Sequence, residues 1–316
     1  MQLIYLGMQK IDLAGLIAPV QTQDFFEFHW PHKPLFIPAN PEKLKALFEL
    51  PQLQSLEALV AARVLKVRAC LPDFDDEYSS IHLEPNDALK AFNNSMTLVF
   101  DAMQTQDTLI AQTLKNIRED LGLVTGGEEN NLCKARSIAY ATPAGAGTRL
   151  HFDANANFII QISGSKTWML APNNSVTNPT ERFATGALEM PAALEKQCHA
   201  PLIDELPEDS IEFLMEAGSV LYVPRGYWHA TTTSEDSLSL NFTFSQPTWA
   251  DVFTKSLQEY LLTMPDWREL ADGLEANDED RKALAVKKFT DLFKKISTEI
   301  PELNAKQLLE ESGLLA

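Results

Sequence analysis

Two residues apart, His151 and Asp153 stand in the segment 148–170, TRLHFDANANFIIQISGSKTWML. Around them Phe152, Ala154, Ala156, Phe158, Ile160 and Ile162 alternate with His151, Asp153, Asn155, Asn157 and Gln161, Ile159 being the exception. Alternation with period two predicts extended chain with one packed face, so the imidazole and the carboxylate project from the same side. A second histidine, His229, stands in GSVLYVPRGYWHAT. There a predicted strand ends at Pro224, Arg225-Gly226 turns the chain, and His229 opens the next strand. Two histidines and one carboxylate can occupy one face of an octahedron and leave three positions open. That suits Fe(II) binding a chelating cosubstrate and O2 together, although catalytic zinc also accepts this donor set.

Gly164-Ser165 offers a two-residue reversal of the Gly-X type. It would return Lys166, Trp168 and Leu170 as an antiparallel neighbour of the strand before it, on a platform shared with His151 and Asp153. An ammonium inside a barrel requires an anionic partner, because an unpaired buried charge is costly. A dicarboxylate chelated to the metal through a 2-oxo acid end would present its far carboxylate to Lys166. Thr148, at the start of the His151 strand, is placed to add a hydroxyl hydrogen bond.

The elements that must position these residues change character along the chain. Residues 1–135 read as mixed. Phe25, Phe26, Phe28 and Trp30 precede a turn and an early strand near Leu35-Phe36-Ile37; short helices are predicted over 41–50 and 55–63, and a strand over 64–69. Segment 72–78 (PDFDDEY) reads as an acidic, solvated loop. Ile110, Leu114, Ile117 and Leu121 repeat with helical spacing over 107–121, and Gly122 closes that helix. From Ser137 short strands dominate: 137–142, 149–153, 158–163, 166–170, 211–215, 219–223, 229–233 and 237–244. This pattern argues for a mainly β fold with flanking helices, a jelly-roll (cupin) barrel. Segment 172–207 interrupts it as an insertion, with a helix near 189–197, and is the expected place for recognition. In the last strand Leu238, Leu240, Phe242 and Phe244 form one face. Ser237, Ser239, Asn241 and Thr243 form the other, which would line the interior. Beyond Pro247, Thr248 and Asp251 resemble a capping box. Phe253, Leu257, Tyr260, Leu261 and Met264 form an apolar helical stripe, and a second helix carries Leu284, Phe289, Leu292, Phe293, Ile296 and Ile300. The expected organisation is therefore an N-terminal mixed segment packed on the barrel (1–135), a barrel core (136–246) and a C-terminal helical region (247–316).

With 26 Lys and Arg against 44 Asp and Glu the formal net charge is −18, a field that repels polyanionic nucleic acid. A protein or peptide partner fits better. The three cysteines, Cys70, Cys133 and Cys198, form no CxxC pair, so neither a structural zinc site nor a disulfide framework is indicated and a reducing cytoplasm is expected. The first twenty residues lack a basic leader and carry Lys10 and Asp12, a poor match to a signal peptide. No apolar run approaches the ~18–20 residues of a membrane helix.

The sequence resembles the JmjC (cupin-like) Fe(II)/2-oxoglutarate-dependent oxygenases, most closely the branch of asparaginyl hydroxylases acting on hypoxia-inducible factor and its bacterial cupin-8 relatives. The resemblance covers about residues 136–246, with weaker echoes in FFEFHWPHKPLFIP. It rests on T-x-x-H-x-D at Thr148, His151 and Asp153, on NFIIQISGSK from Asn157 to Lys166, on YVPRGYWH ending at His229, and on Asn241-Phe242. It implies that His151, Asp153 and His229 bind iron and that Lys166 and Thr148 bind the C5 carboxylate of 2-oxoglutarate. Asn157 and Asn241 would lie near the chelating end, with Tyr140 on a strand where the family often places a cosubstrate tyrosine. Thr243 replaces the family aromatic after the NF motif, a departure that bears on the shape of the cosubstrate pocket. The implied reaction couples oxidative decarboxylation of 2-oxoglutarate, with O2, to hydroxylation of a side chain in a protein or peptide. The C-terminal helices of such relatives pair two subunits, so a homodimer is implied too.

Other readings stand beside this one. An aspartate rather than a glutamate among the ligands speaks against a lysine demethylase. Hydroxylation of a small molecule or a modified RNA base is an alternative, as is an inactive cupin-type binding protein. His29, His32, His82 and His199 lack partners at ligand spacing and are expected to be structural, the last two in loops. Trp228 reads as a packing residue under the site, and Arg225 as a rim cation.

Overall fold

The computed structural model describes residues 11–71, 80–123, 132–275 and 277–315, with the side chain of residue 301 excepted. The acidic segment 72–78 lies outside the described residues. The chain divides into two compact units, one formed by 1–123 and 135–245, the other by 124–134 and 246–316.

The first unit begins with helices α1 (Leu13–Ile17) and α2 (Thr22–Phe28), strand β1 (Leu35–Ile37), and helices α3 (Lys45–Phe48) and α4 (Leu56–Ala62). Strands β2 (Val67–Cys70) and β3 (Ser80–Leu83), helix α5 (Pro85–Asn93), strand β4 (Thr97–Phe100) and helix α6 (Thr108–Asp120) follow. Asp107 caps α6 through its side chain, which accepts from the backbone of Leu109 and Ile110. The barrel strands are β5 (Lys134–Thr142), β6 (Gly147–Phe152), β7 (Ala156–Ser163) and β8 (Lys166–Ala171). A two-residue β9 (Phe183–Ala184) and helix α7 (Ala192–Gln197) lie in the insertion, and β10 (Ile211–Met215), β11 (Val220–Val223), β12 (Trp228–Thr232) and β13 (Ser237–Ser245) complete the set.

Two antiparallel sheets result, one in the order β1-β11-β7-β13-β5-β4-β2-β3 and the other β10-β8-β12-β6-β9. Strands β11-β7-β13-β5 face β10-β8-β12-β6 as a double-stranded β-helix; β4, β2 and β3 extend the larger sheet. Sequence patterning had shown only one of those three extending strands, and His82, expected in a loop, lies on β3 opposite Arg68.

One expectation is overturned by this topology. Strands β7 and β8 are not a hairpin: they belong to different sheets, and Gly164-Ser165 carries the chain across the barrel. Lys166 therefore neighbours neither its preceding strand nor β6. Its strand β8 pairs with β10 and with β12. Gly164 suits the crossing because its φ is +63° and a Cβ there would sit 2.1 Å from the Asp236 carbonyl oxygen. Likewise the alternating segment 151–162 is two strands with a corner at 153–155, so Asp153 lies just past the end of β6.

Three apolar clusters explain the inverted character of the barrel. Phe158, Ile160, Leu240, Phe242 and Phe244 point outward into a large core with Leu13, Leu16, Phe25 and Ile117 of the N-terminal helices. Phe152, Leu150 and Trp228 point outward from the smaller sheet and are covered by Val176 and Leu194 of the insertion. Trp228 is fully buried, with its ring edge-on to Phe152 at 4.7 Å. Between the sheets lie Ile159, Trp168, Leu170, Met215, Leu221 and Val223 at one level. Burial of strands on both faces leaves the interior free to carry polar groups.

In the second unit α8 (Trp249–Leu262) starts at Thr248, whose side chain forms the expected capping box with Asp251. Helices α9 (Glu279–Glu299) and α10 (Ala305–Glu311) follow. Val252 and Ser256 are the buried residues of α8, whereas Phe253 of the expected stripe is exposed. Leu284, Phe289 and Phe293 of α9 are exposed as well. Among the described residues no helix is long and apolar enough to cross a membrane.

Candidate metal and cosubstrate site

Strands β6 and β12 pair with His151 directly opposite His229, so the two imidazoles share the inward face of the smaller sheet with centroids 4.1 Å apart. Each ring is fixed by the same local device. Nδ1–H of His151 donates to the Arg149 carbonyl at 2.7 Å, and Nδ1–H of His229 donates to the Tyr227 carbonyl at 2.9 Å. A carbonyl only accepts, so in the neutral form of each ring the lone pair is on Nε2. Burial, then the neighbouring His151, holds His229 well below the ordinary imidazole range and hence neutral.

Asp153 completes the cluster: one ligand atom from each of His151, Asp153 and His229 lies within 4.8 Å of the others. Its Oδ2 is 3.9 Å from His229 Nε2 and accepts from Asn157 Nδ2 at 2.9 Å. Asn157 Oδ1 in turn accepts from Thr243 Oγ1 at 2.8 Å. The Thr243–Asn157–Asp153 chain crosses from β13 through β7 to the corner after β6, and so orients the carboxylate. Its backbone is held too, since Gly226 N–H donates to the Asp153 carbonyl at 2.8 Å.

Lys166 enters the interior from β8, 5% exposed, and its Nζ donates to Thr142 Oγ1 at 2.9 Å. Burial alone lowers its pKa from 10.5 to about 8. Between Lys166 and the histidines stands Trp168, stacked on His229 with centroids 5.6 Å apart. Thr148 lies opposite Thr231, with the two hydroxyl oxygens 2.8 Å apart. Asn241, buried on β13 opposite Ile159, has an Oδ1 with no hydrogen-bond partner. Tyr140 on β5 is half-buried; burial and then the Asp153 charge push its phenol well above the usual range. All eight residues expected at the site thus come from strands or corners of one barrel.

Sequence reasoning missed Arg182. Its Nε lies 3.3 Å from Asp153 Oδ1, each side chain being 21% exposed. Nothing in TERFATG marks an arginine as part of a metal site; only the pairing of β9 with β6 brings it there. Among the described residues, the metal-type cluster takes in no histidine besides His151 and His229. Nδ1 of His29 meets the Pro34 carbonyl at 2.8 Å and its ring stacks on Phe25. Arg225, read as a rim cation, donates to the Asn178 carbonyl at 3.2 Å.

The residues present fit a divalent metal and a dicarboxylate. Two imidazole nitrogens and one carboxylate oxygen converge, a buried ammonium has a neutral hydroxyl for its partner, and the Asn241 oxygen is unsatisfied. Fold and site together define a cupin-type double-stranded β-helix with a two-histidine, one-carboxylate centre. Residues 128–252 match the family model of the JmjC domain. An uncharacterised Bacillus subtilis protein, YxbC, is 29% identical over 304 residues, covering 94% of this chain and 90% of that protein. Ribosomal oxygenase 1 of Danio rerio is 26% identical, covering 82% of this chain and 45% of its own length. The Dictyostelium discoideum bifunctional lysine-specific demethylase and histidyl-hydroxylase NO66 is 25% identical, covering 83% and 48%. The chain thus spans less than half of these two characterised relatives. The X-ray structure of Escherichia coli ycfD shares the fold with a TM-score of 0.50 at 17% identity, over 88% of this chain and 67% of that one.

Proposed function

We propose that this protein is an Fe(II)- and 2-oxoglutarate-dependent oxygenase that hydroxylates a side chain of a protein or peptide, with succinate and CO2 as coproducts. The observation that carries the reading is Lys166: a buried ammonium with a neutral partner, in the same interior as His151, Asp153 and His229. A structural lysine would sit beside a carboxylate; this one fits the far carboxylate of a chelated dicarboxylate.

His151, Asp153 and His229 hold the metal, which when bound supplies O2 activation coupled to decarboxylation of the 2-oxo acid. The carbonyls of Arg149 and Tyr227 hold the imidazoles in the ligating tautomer. Lys166 and Thr148 fix the C5 carboxylate, and Asn157, Asn241 and Tyr140 line the chelating end, Asn157 through its bond to Asp153. Trp168, Leu170 and Leu221 exclude water between the two ends of the cosubstrate. The match to the JmjC domain and the names of the ribosomal-oxygenase and histidyl-hydroxylase relatives support a protein substrate, and ribosomal proteins are the first class to test. The exposed Leu284, Phe289 and Phe293 support pairing of two copies through α9, which measurement of the molar mass in solution by light scattering tests.

Anaerobic titration of metal-free protein with Fe(II) and then 2-oxoglutarate tests the activity. The expected result is the weak charge-transfer band of the chelate, near ~500 nm, reduced in Lys166→Ala. No band and no retained metal in the wild type would leave a binding protein with a relict site.

A further inference from the structure

Segment 172–207 is built into the site as a strap. Between Ala171 at the end of β8 and Ile211 at the start of β10 it runs over the outer face of the smaller sheet, where Val176 and Leu194 close the cluster around Trp228. It then touches the metal-side loops at three places. The Asn178 carbonyl accepts from Arg225. Pro179 lies against Gly226, where a Cβ would come within 2.6 Å of Pro179 Cδ, so a glycine (φ +84°) is required beneath it. Strand β9 then pairs with β6 in the register Phe183–Phe152 and Ala184–His151. One step further along this register sets Arg182 opposite Asp153.

Asp153 is therefore gripped at both oxygens by different parts of the fold. Asn157, on the barrel, holds Oδ2, the oxygen 3.9 Å from His229 Nε2. Arg182, on the strap, holds Oδ1. A carboxylate free to turn about its terminal torsion can offer both oxygens to a divalent ion, and the second would consume one of the three positions that a chelating cosubstrate and O2 require. A guanidinium 3.3 Å from the far oxygen opposes that turn, because moving Oδ1 away would give up the attraction between the two charges.

We propose that Arg182 is a positioning residue that keeps Asp153 a one-oxygen ligand and so preserves the open coordination positions. This rests on the metal reading above.

The test loads metal-free protein with saturating Mn(II) and reads water-proton relaxivity of the bound ion, then 2-oxoglutarate affinity by calorimetry without O2. Three variants accompany the wild type: Arg182→Met, Arg182→Lys, and Gln197→Ala. The last loosens the strap by removing the bonds of Gln197 to Thr180 and leaves Arg182 in place. In Arg182→Met, bound Mn(II) should lose about one third of its inner-sphere relaxivity and 2-oxoglutarate should bind roughly tenfold more weakly. Arg182→Lys should recover part of both, and Gln197→Ala should match the wild type. Unchanged relaxivity in Arg182→Met, outright loss of Mn(II) from it, or the same decrease in Gln197→Ala would each overturn the assignment. Failure of the wild type to bind Mn(II) would instead overturn the metal reading itself.

Discussion

Lys166 on β8 and Thr142 on β5 meet across the gap between the two sheets, the ammonium donating to the hydroxyl at 2.9 Å. A hydroxyl offsets little of the cost of burying a charge, and that imbalance is why burial brings the pKa of Lys166 down to about 8. The same imbalance makes the position receptive to an anion. Two measurable consequences come from it.

Binding of 2-oxoglutarate should weaken as pH rises through about 8, because the ligand stays dianionic while Lys166 loses its proton. Calorimetry on Mn(II)-loaded protein without O2, from about pH 7 to about pH 9.5, should show that decline. Lys166→Met should bind at least tenfold more weakly at the low end, consistent with ~1.5–3 kcal/mol for a hydrogen bond to a charged group. It should also show a flatter pH profile. An equally steep profile in the variant would assign the titration to another group.

Stability of the metal-free protein should respond in the opposite sense. The folded pKa lies below the unfolded value of 10.5, so the unfolded state binds more protons between about 8 and 10.5 and stability rises with pH across that window. Below it the cost of the buried charge is fully present, up to ~3 kcal/mol. Lys166→Met, similar in volume and neutral, should therefore melt higher than the wild type near neutral pH, with the gap closing above pH ~10. A lower melting temperature would show that the contact with Thr142 outweighs desolvation.

His151→Ala should fold and lose the metal. The side chain lies between the sheets, outside the three apolar clusters that hold the barrel. Circular dichroism should match the wild type while Mn(II) or Fe(II) content after dialysis falls to background. Full metal retention would remove His151 from the ligand set.

Gly147→Ala should destabilise the barrel at the start of β6. A Cβ there would lie 1.9 Å from the Thr231 carbonyl oxygen, backbone that cannot yield without parting β6 from β12. Chemical denaturation should show a loss of ~1–3 kcal/mol or more. 2-Oxoglutarate binding should decline with it, because Thr148 and Thr231 are bonded beside this contact. A neutral effect would mean the two strands are not so closely apposed.

The sequence by itself determined the barrel strands, the Thr248 cap and the three residues, His151, Asp153 and His229, that the fold gathers into one cluster. It did so because these depend on local periodicity, on caps spaced by a single helical turn, and on residue types whose chemistry has few other uses. All eight strands read from alternation are present, and Thr248 with Asp251 forms the expected cap. What only the tertiary structure decided is which strands face one another. Gly-Ser reads as a hairpin turn locally, yet β7 and β8 separate into opposite sheets because their outward apolar faces are claimed by different covers, the N-terminal helices on one side and the insertion on the other. That partition sends Lys166 to Thr142 instead of to the His151 strand. It also brings Arg182 to Asp153, a relationship with no local sequence signal, since it arises from strand register between segments that only the folded chain places side by side.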